Sequence, residues 1–205
     1  RADRDTYERR YYTTAKEKTI KPFIEEHFAK GEIWNVLSIG DGVFEVLATN
    51  GDGHLVSHKY GFGVVDATAA VLLSENWTSV SEELNVSSGM QTVDLDIPDN
   101  SGAPVNVSFN VTEALHLENV DIFVDIDHPF RGDLEIILTA PSGMQSVLSE
   151  KHEDANNNYA DWRFSTVQHW GEDSRGQWTL SIEDQGNNDV GTLNEWGLVL
   201  YGPNQ

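Results

Sequence analysis

The sequence predicts a mainly β protein, an antiparallel β-sandwich preceded by a short α/β flank. Three observations predict it. From Trp77 onward, apolar and polar residues alternate with period two, which places one face of each run toward a core. The runs are short and recur at the spacing of about 8–12 residues that marks sandwiches and barrels. Pro-Ser-Gly, Arg-Gly-Gln and Gly-Asn-Asn turns stand between them.

The flank comes first. Ile20, Phe23, Ile24 and Phe28 recur at helix spacing in "TIKPFIEEHFAKG", with Gly31 as the stop. "IWNVLSIGDG" reads as an apolar strand ending in Gly40-Asp41-Gly42, a strand with no sheet around it. "VDATAAVLLSENW" reads as a second helix, capped by Asp66 and rich in alanine.

The sandwich strands follow. "QTVDLDIP" sets Val93, Leu95 and Ile97 against Asp94 and Asp96, and "VNVSFNV" aligns Val105, Val107, Phe109 and Val111. "VDIFVDID" opposes Ile122, Val124 and Ile126 to Asp121, Phe123, Asp125 and Asp127. Further strands are expected at "DLEIILTA", "QSVLS", "WRFSTV", "QWTLSIED" and "EWGLVLYG". Four of the six tryptophans (Trp162, Trp170, Trp178 and Trp196) fall in this last part, either as bulky core residues or as a stacking platform for a sugar.

Composition narrows the function. With 39% apolar and 10% aromatic residues, the 205-residue chain has the means to build a core and is not disordered. A net charge of −21 excludes nucleic acid as a partner, since phosphates need a basic patch. The absence of cysteine excludes disulfides, thiolate zinc sites and a cysteine nucleophile. No apolar run reaches the roughly 20 residues of a membrane span. The sequence opens "RADRDTYERR" without an initiator Met or signal peptide, and is expected to be a fragment of a longer chain.

"VSHKYGFGVVDATAAVLLSENW" (Val56 to Trp77) resembles the last helix and exit segment of a kexin/furin-type catalytic domain of the subtilisin family. There, a Ser-His-x-Tyr-Gly-x-Gly-x-x-Asp-Ala run closes the protease and leads into the P domain, or Homo B domain. "RGDLEIILTAPSGMQSVL", "DWRFSTVQHWGEDSRGQWTLSIED" and "GTLNEWGLVLYG" stand in that domain's order and spacing, so the resemblance covers about residues 54–202. The short loops and lack of cysteine are closer to bacterial members. The resemblance implies a jelly-roll-like sandwich that packs on its own protease domain and supports its folding, in a secreted or periplasmic serine endopeptidase. It also implies that the Trp-rich strands fill the sandwich and its interface. The expected division is residues 1–53 as a flank of uncertain origin, 54–77 as the protease tail and 78–205 as the P domain.

Subtilisin-type catalysis needs Asp, His and Ser in that order, and the signatures Asp-Ser/Thr-Gly, His-Gly-Thr and Gly-Thr-Ser do not occur. Ser88 and Ser142 sit in turns, and His58 and His169 belong to the matched motifs. No catalytic residue is therefore assigned. In the flank, "VLSIGDG" is similar to the first strand and Gly-x-Gly turn of a Rossmann-like methyltransferase, with Phe44 in place of the third glycine and no βαβ series after it; a buried strand with a tight glycine turn is the simpler reading.

Oxygen-rich stretches raise calcium as the one expected cofactor, because Ca²⁺ takes 6–8 oxygen ligands. Asp125, Asp127 and Asp133 in "DIDHPFRGD" form one ligand set, and Glu183, Asp184 and Asp189 in "EDQGNNDVG" another; solvated carboxylates are the alternative at each. Arg131-Gly132-Asp133 spells an integrin-type tripeptide inside a matched motif. Asn-x-Ser/Thr sequons begin at Asn76, Asn85, Asn106 and Asn110, and report glycosylation only in a eukaryotic secretory context. A stand-alone adhesion or carbohydrate-binding sandwich is the rival function, and the Val56–Asp66 run argues against it.

Overall fold

The computed structural model describes the backbone of residues 12–13, 35–40, 43–57, 61–100 and 102–205, with side-chain environments from residue 48 onward. The helix expected over Ile20–Phe28 lies outside these residues, as do His58 and Tyr60. The chain divides into two units, Arg1–Ser81 and Glu82–Gln205.

The first unit holds strands β1 (Tyr12–Thr13), β2 (Asn35–Gly40), β3 (Val43–Thr49) and β4 (Leu55–Val56), followed by helix α1 (Ala67–Ser74). The strand expected at "NVLSIG" therefore does not stand alone: β3 pairs with β1, β2 and β4, all antiparallel. A dinucleotide-type motif would send the chain from β2 into a helix. Here the next element is an antiparallel strand, with Gly40 opposite Val43. Asn50 connects β3 to β4, its Oδ1 accepting from the backbone of His54 at 2.9 Å and of Asp52 at 3.2 Å. Such a side chain mimics a backbone turn.

Helix α1 starts where expected. The Asp66 carboxylate accepts from Ala69 N at 2.9 Å and satisfies one of the orphan donors of the first turn. Its sequence, "ATAAVLLS", is apolar on every side, yet none of its residues is buried.

The second unit is the sandwich. Its strands are β5 (Glu83–Ser87), β6 (Gln91–Ile97), β7 (Val105–Val111), β8 (Asn119–Asp127), β9 (Leu134–Thr139), β10 (Gln145–Ser149), β11 (Tyr159–Thr166), β12 (Gly176–Asp184) and β13 (Gly191–Pro203). One antiparallel sheet runs β10-β9-β12-β7; the other runs β11-β8-β13-β5, with β6 also on β13. Alternation decides the inward faces, since successive side chains point to opposite sides of a sheet. Ile122, Val124 and Ile126 of β8 are fully buried, as are Leu134, Ile136 and Leu138 of β9, Trp178, Leu180 and Ile182 of β12, and Leu198 and Leu200 of β13.

Three features depart from simple alternation. In β13, buried Leu193 is followed by buried Trp196, three residues on, because the register slips between Leu193 and Glu195. An extra residue in one strand resets which face is inward. Asp121, expected on a solvated face, is buried: Ser165 Oγ of β11 donates to it at 2.6 Å and Asn119 Nδ2 at 3.2 Å. Leu95, expected inward, is exposed on β6, one residue after the positive φ of Asp94.

Candidate functional site

The expected ligands and the matched His169 fall at two places in the sandwich unit. The first is the end where β8, β12 and their loops finish. Asp127 closes β8, and its two oxygens accept from Asn158 Nδ2 at 2.8 Å and Asn194 Nδ2 at 3.0 Å. His128 follows and is buried, its Nδ1 2.8 Å from the Phe130 carbonyl oxygen. Its Nε2 faces Asp184 Oδ2 at 3.3 Å, both side chains without exposure, and neither atom has an aligned hydrogen-bond partner. The other oxygen of Asp184 accepts from Gly186 N at 2.8 Å. Asp133 lies 3.8 Å from the Lys151 ammonium, and a Cβ on Gly186 would fall 2.4 Å from its Oδ2, which explains the glycine there.

These contacts bear on calcium. Asp127 and Asp133 are held by protein donors, Asp184 is turned to a buried histidine, Asp125 lies opposite Glu195, and Asp189 stands in the loop beyond. Among the described residues, no three His, Cys, Asp or Glu side chains gather as a metal-binding group. What this end does present is an open cleft of about 660 Å³ between Asp96–Pro98, Asp127–Pro129, Asn157–Asn158 and Val190–Thr192. Its lining includes two carboxylates and no lysine or arginine, so it suits a cationic group.

The tripeptide Arg131-Gly132-Asp133 is not displayed. It forms a single 3₁₀ turn with Gly132 buried and bonded through its backbone to Asp154 and His152. Arg131 Nε donates to Asp154 Oδ2 at 2.8 Å, and its guanidinium lies 5.0 Å from the Trp162 ring centroid and 5.5 Å from that of Tyr159. The amide of Asn156 and then Arg131 hold the Asp154 carboxyl down at a pKa of about 2. The four C-terminal tryptophans split. Trp178 and Trp196 fill the core at 0% and 2% exposure, whereas Trp162 and Trp170 are 38% and 47% exposed. Trp162 stands at the edge strand β11, just past a register slip, with Arg131 over its ring.

The second place is a buried polar chain that sequence reasoning missed. Ser146 Oγ lies 3.0 Å from His169 Nε2, His169 Nδ1 lies 3.5 Å from Glu172 Oε2, and Ser142 Oγ donates to that oxygen at 2.9 Å. The order Ser–His–Glu imitates a hydrolytic triad. It is sealed, however: Ser146 and His169 are 1% exposed, Glu172 is 2%, and Ser146 also engages Thr166 Oγ1 at 2.9 Å. A nucleophile must reach a carbonyl, and this one faces only protein. The chain braces the core instead, with His169 edge-on to Trp178 at 5.0 Å. Only His169 carried a signal in the sequence; Ser146 and Glu172 sit in a strand and a turn like any others.

Residues 117–200 match the family described as "Proprotein convertase P-domain". The chain is 37% identical over 166 residues to "Proprotein convertase subtilisin/kexin type 6" of Homo sapiens, covering 75% of this chain and 17% of that protein. It is 38% identical over 165 residues to "Furin" of Homo sapiens, covering 76% of this chain and 20% of that protein. The chain thus spans about a fifth of the length of these relatives. Three quarters of it is more than Glu82–Gln205 alone provides, so the likeness runs upstream through helix α1. Among solved structures, a serine protease of Aeromonas sobria in complex with its chaperone shares the fold at a TM-score of 0.69 and 20% identity, over 83% of this chain and 36% of that one. With residues 117–200 matched and 38% identity to furin over three quarters of its own length, the chain carries a proprotein convertase P domain.

Proposed function

We propose that the chain is the P domain and exit segment of a secreted subtilisin/kexin-like serine endopeptidase, and that it docks on the catalytic domain of that enzyme and keeps it folded. One observation carries the reading: helix α1 is apolar on all sides and capped as a stable helix, yet has no buried residue. A helix of that composition belongs inside a protein. Val71, Leu72 and Leu73 are all exposed, as are Val64 and Val65 before them. The stretch is also within the likeness to furin, which gives its missing cover a definite chemistry: the body of a subtilisin-type catalytic domain. Among the described residues, the Ser146–His169–Glu172 arrangement is buried, so proteolysis is assigned to that partner.

The test is association with a separately produced catalytic domain of a furin-type enzyme. The full chain should raise that domain's melting temperature, as any ligand selective for a folded state must. Val71→Asp with Leu72→Asp should abolish the effect while leaving the melting of residues 82–205 unchanged. A full chain that gives the catalytic domain no protection, or a charged α1 that protects as well as the native one, refutes the reading.

A further inference from the structure

Strand β7 ends its sheet, and among the described residues it pairs only with β12. Edge strands recruit other edges through unpaired backbone groups, and proteins blunt them with charge, proline or bulges. The strands at the far side, β10 and β11, are each interrupted by a register slip. Strand β7 has no such device: its ladder to β12 is regular from Val105 to Val111, and "VNVSFNV" holds no charge and no proline. The rest of the unit sharpens the contrast. From Glu82 onward the chain has 22 carboxylates against four lysines and arginines, and residues 100–112 carry no charge at all. A chain of net charge −21 repels its own copies wherever carboxylate would meet carboxylate. At β7 that obstacle is missing.

The strand also reads nearly the same in both directions. About Ser108, Val105 matches Val111, Asn106 matches Asn110, and Val107 stands against Phe109. Two identical strands paired antiparallel have a two-fold axis at their centre, so each residue meets its match across it. On the outward face, Asn106 then meets Asn110 of the second copy, and the two Ser108 residues meet on the axis. On the inward face, Val107 and Val111 are buried, but Val105 and Phe109 are only half-buried. The same register sets them against Val111 and Val107 of the second copy. Side chains directly opposite lie about 4.5–5.5 Å apart, within reach of amide pairing and apolar contact. Residues matched across Ser108 differ by an even number of positions, so their outward N–H and C=O groups also face each other.

We propose that two copies of this chain associate through β7, antiparallel about Ser108, joining two four-stranded sheets into one of eight strands. Such a contact is isologous and closed, and leaves no β7 edge for a third copy. Seven residue pairs make a small interface of the transient class, so the dimer forms and dissociates with concentration.

The experiment uses the full chain, whose lack of cysteine lets each introduced thiol report alone. In sedimentation, the native chain should shift from monomer to dimer as concentration rises. Added salt should strengthen the dimer, because it screens two chains of like charge. Under mild oxidation Ser108→Cys should give a disulfide-linked dimer. Asn106→Cys alone and Asn110→Cys alone should not, since each lies about 13 Å along the strand from its own copy, beyond the reach of a disulfide. The two mixed should cross-link. Asn106→Glu with Asn110→Glu, both outward, should abolish the dimer without lowering the melting temperature, and mixing it with Asn106→Lys plus Asn110→Lys should restore association. A native chain that stays monomeric up to its solubility limit overturns the proposal. So do equal cross-linking of all three single cysteines, weakening by salt, or a dimer that survives the Glu pair. Association that persists in the Glu pair and vanishes in Val71→Asp with Leu72→Asp would lie at α1 and not at β7. The Glu pair should still protect the catalytic domain, so failure at β7 leaves the docking reading standing.

Discussion

Replacing Trp178 by alanine isolates the core role of the tryptophan-rich strands. Trp178 is fully buried on β12, opposite Phe109 of β7. Its Nε1 donates to the Ser174 carbonyl at 2.9 Å, and its ring meets His169 edge-on. Trp→Ala in a packed core costs about 3–5 kcal/mol. The carbonyl left without its donor, inside a buried segment, places the change toward the top of that range. Against a domain stability of about 5–15 kcal/mol, the loss is large. At about 3–5 °C per kcal/mol for a unit of this size, melting should fall by about 10–20 °C. Far-ultraviolet circular dichroism is the assay, because fluorescence would confound the loss of the reporter with unfolding. Trp162→Ala is the control: its ring is partly exposed and meets Arg131, Tyr159 and Phe164 at the sheet edge, so it should cost about 1–2 kcal/mol. Equal losses at the two positions, or less than about 1 kcal/mol at Trp178, would refute the division into core and surface tryptophans.

The chain alone should not cleave basic-site or generic fluorogenic peptides, and Ser146→Ala should lower melting without altering that blank; turnover sensitive to Ser146 or His169 would mean the buried chain opens to solvent. Calcium should not raise melting over excess chelator, because Asn158, Asn194, Lys151 and His128 already attend the carboxylates; a shift lost in Asp127→Asn would place an ion at the loop end. The contacts of Asp154 with the Asn156 amide and then Arg131 should stabilise fully above the ordinary carboxylate value of 3.8 and fade as pH falls toward about 2, since its folded value is depressed. Acid titration of melting should therefore lose that component in Asp154→Asn.

Much of the sandwich was legible because burial on one face imposes a period of two. Residues 105–111 and 145–149 are strands over the whole stretch that alternation marks. Legibility failed where a local event breaks the period. The first four residues of β13 went unread because the slip at Leu193/Glu195 shifts the inward face by one residue. Strand β5, "ELNVS", has one half-buried residue and no apolar run to announce it. Carboxylate clusters were harder still. Sequence proximity grouped Asp125, Asp127 and Asp133, yet Asp127 accepts from Asn158 and Asn194 and Asp133 faces Lys151, all from later parts of the chain. Metal sites are defined by convergence in space, and a list of acids along a strand does not encode it.

The boundary between the two units follows from the same physics, and excision tests it. Every strand from β5 to β13 pairs within residues 82–205, and its buried face meets another strand of that segment. A unit of that kind is a normal size for a domain and needs no outside surface to complete its core. Helix α1 is the reverse case: its cap is satisfied, its side chains are not. A protein beginning near Ser74 should therefore unfold cooperatively at the same temperature as the sandwich in the full chain, by circular dichroism. Limited proteolysis of the full chain should leave a stable fragment starting between Ser74 and Glu82. If the shortened protein is unfolded, or the resistant fragment begins near residue 1, the sandwich borrows stability from the first unit. The exposed apolar helix would then already have its partner inside this chain, and the case for a missing catalytic domain would lose its main support.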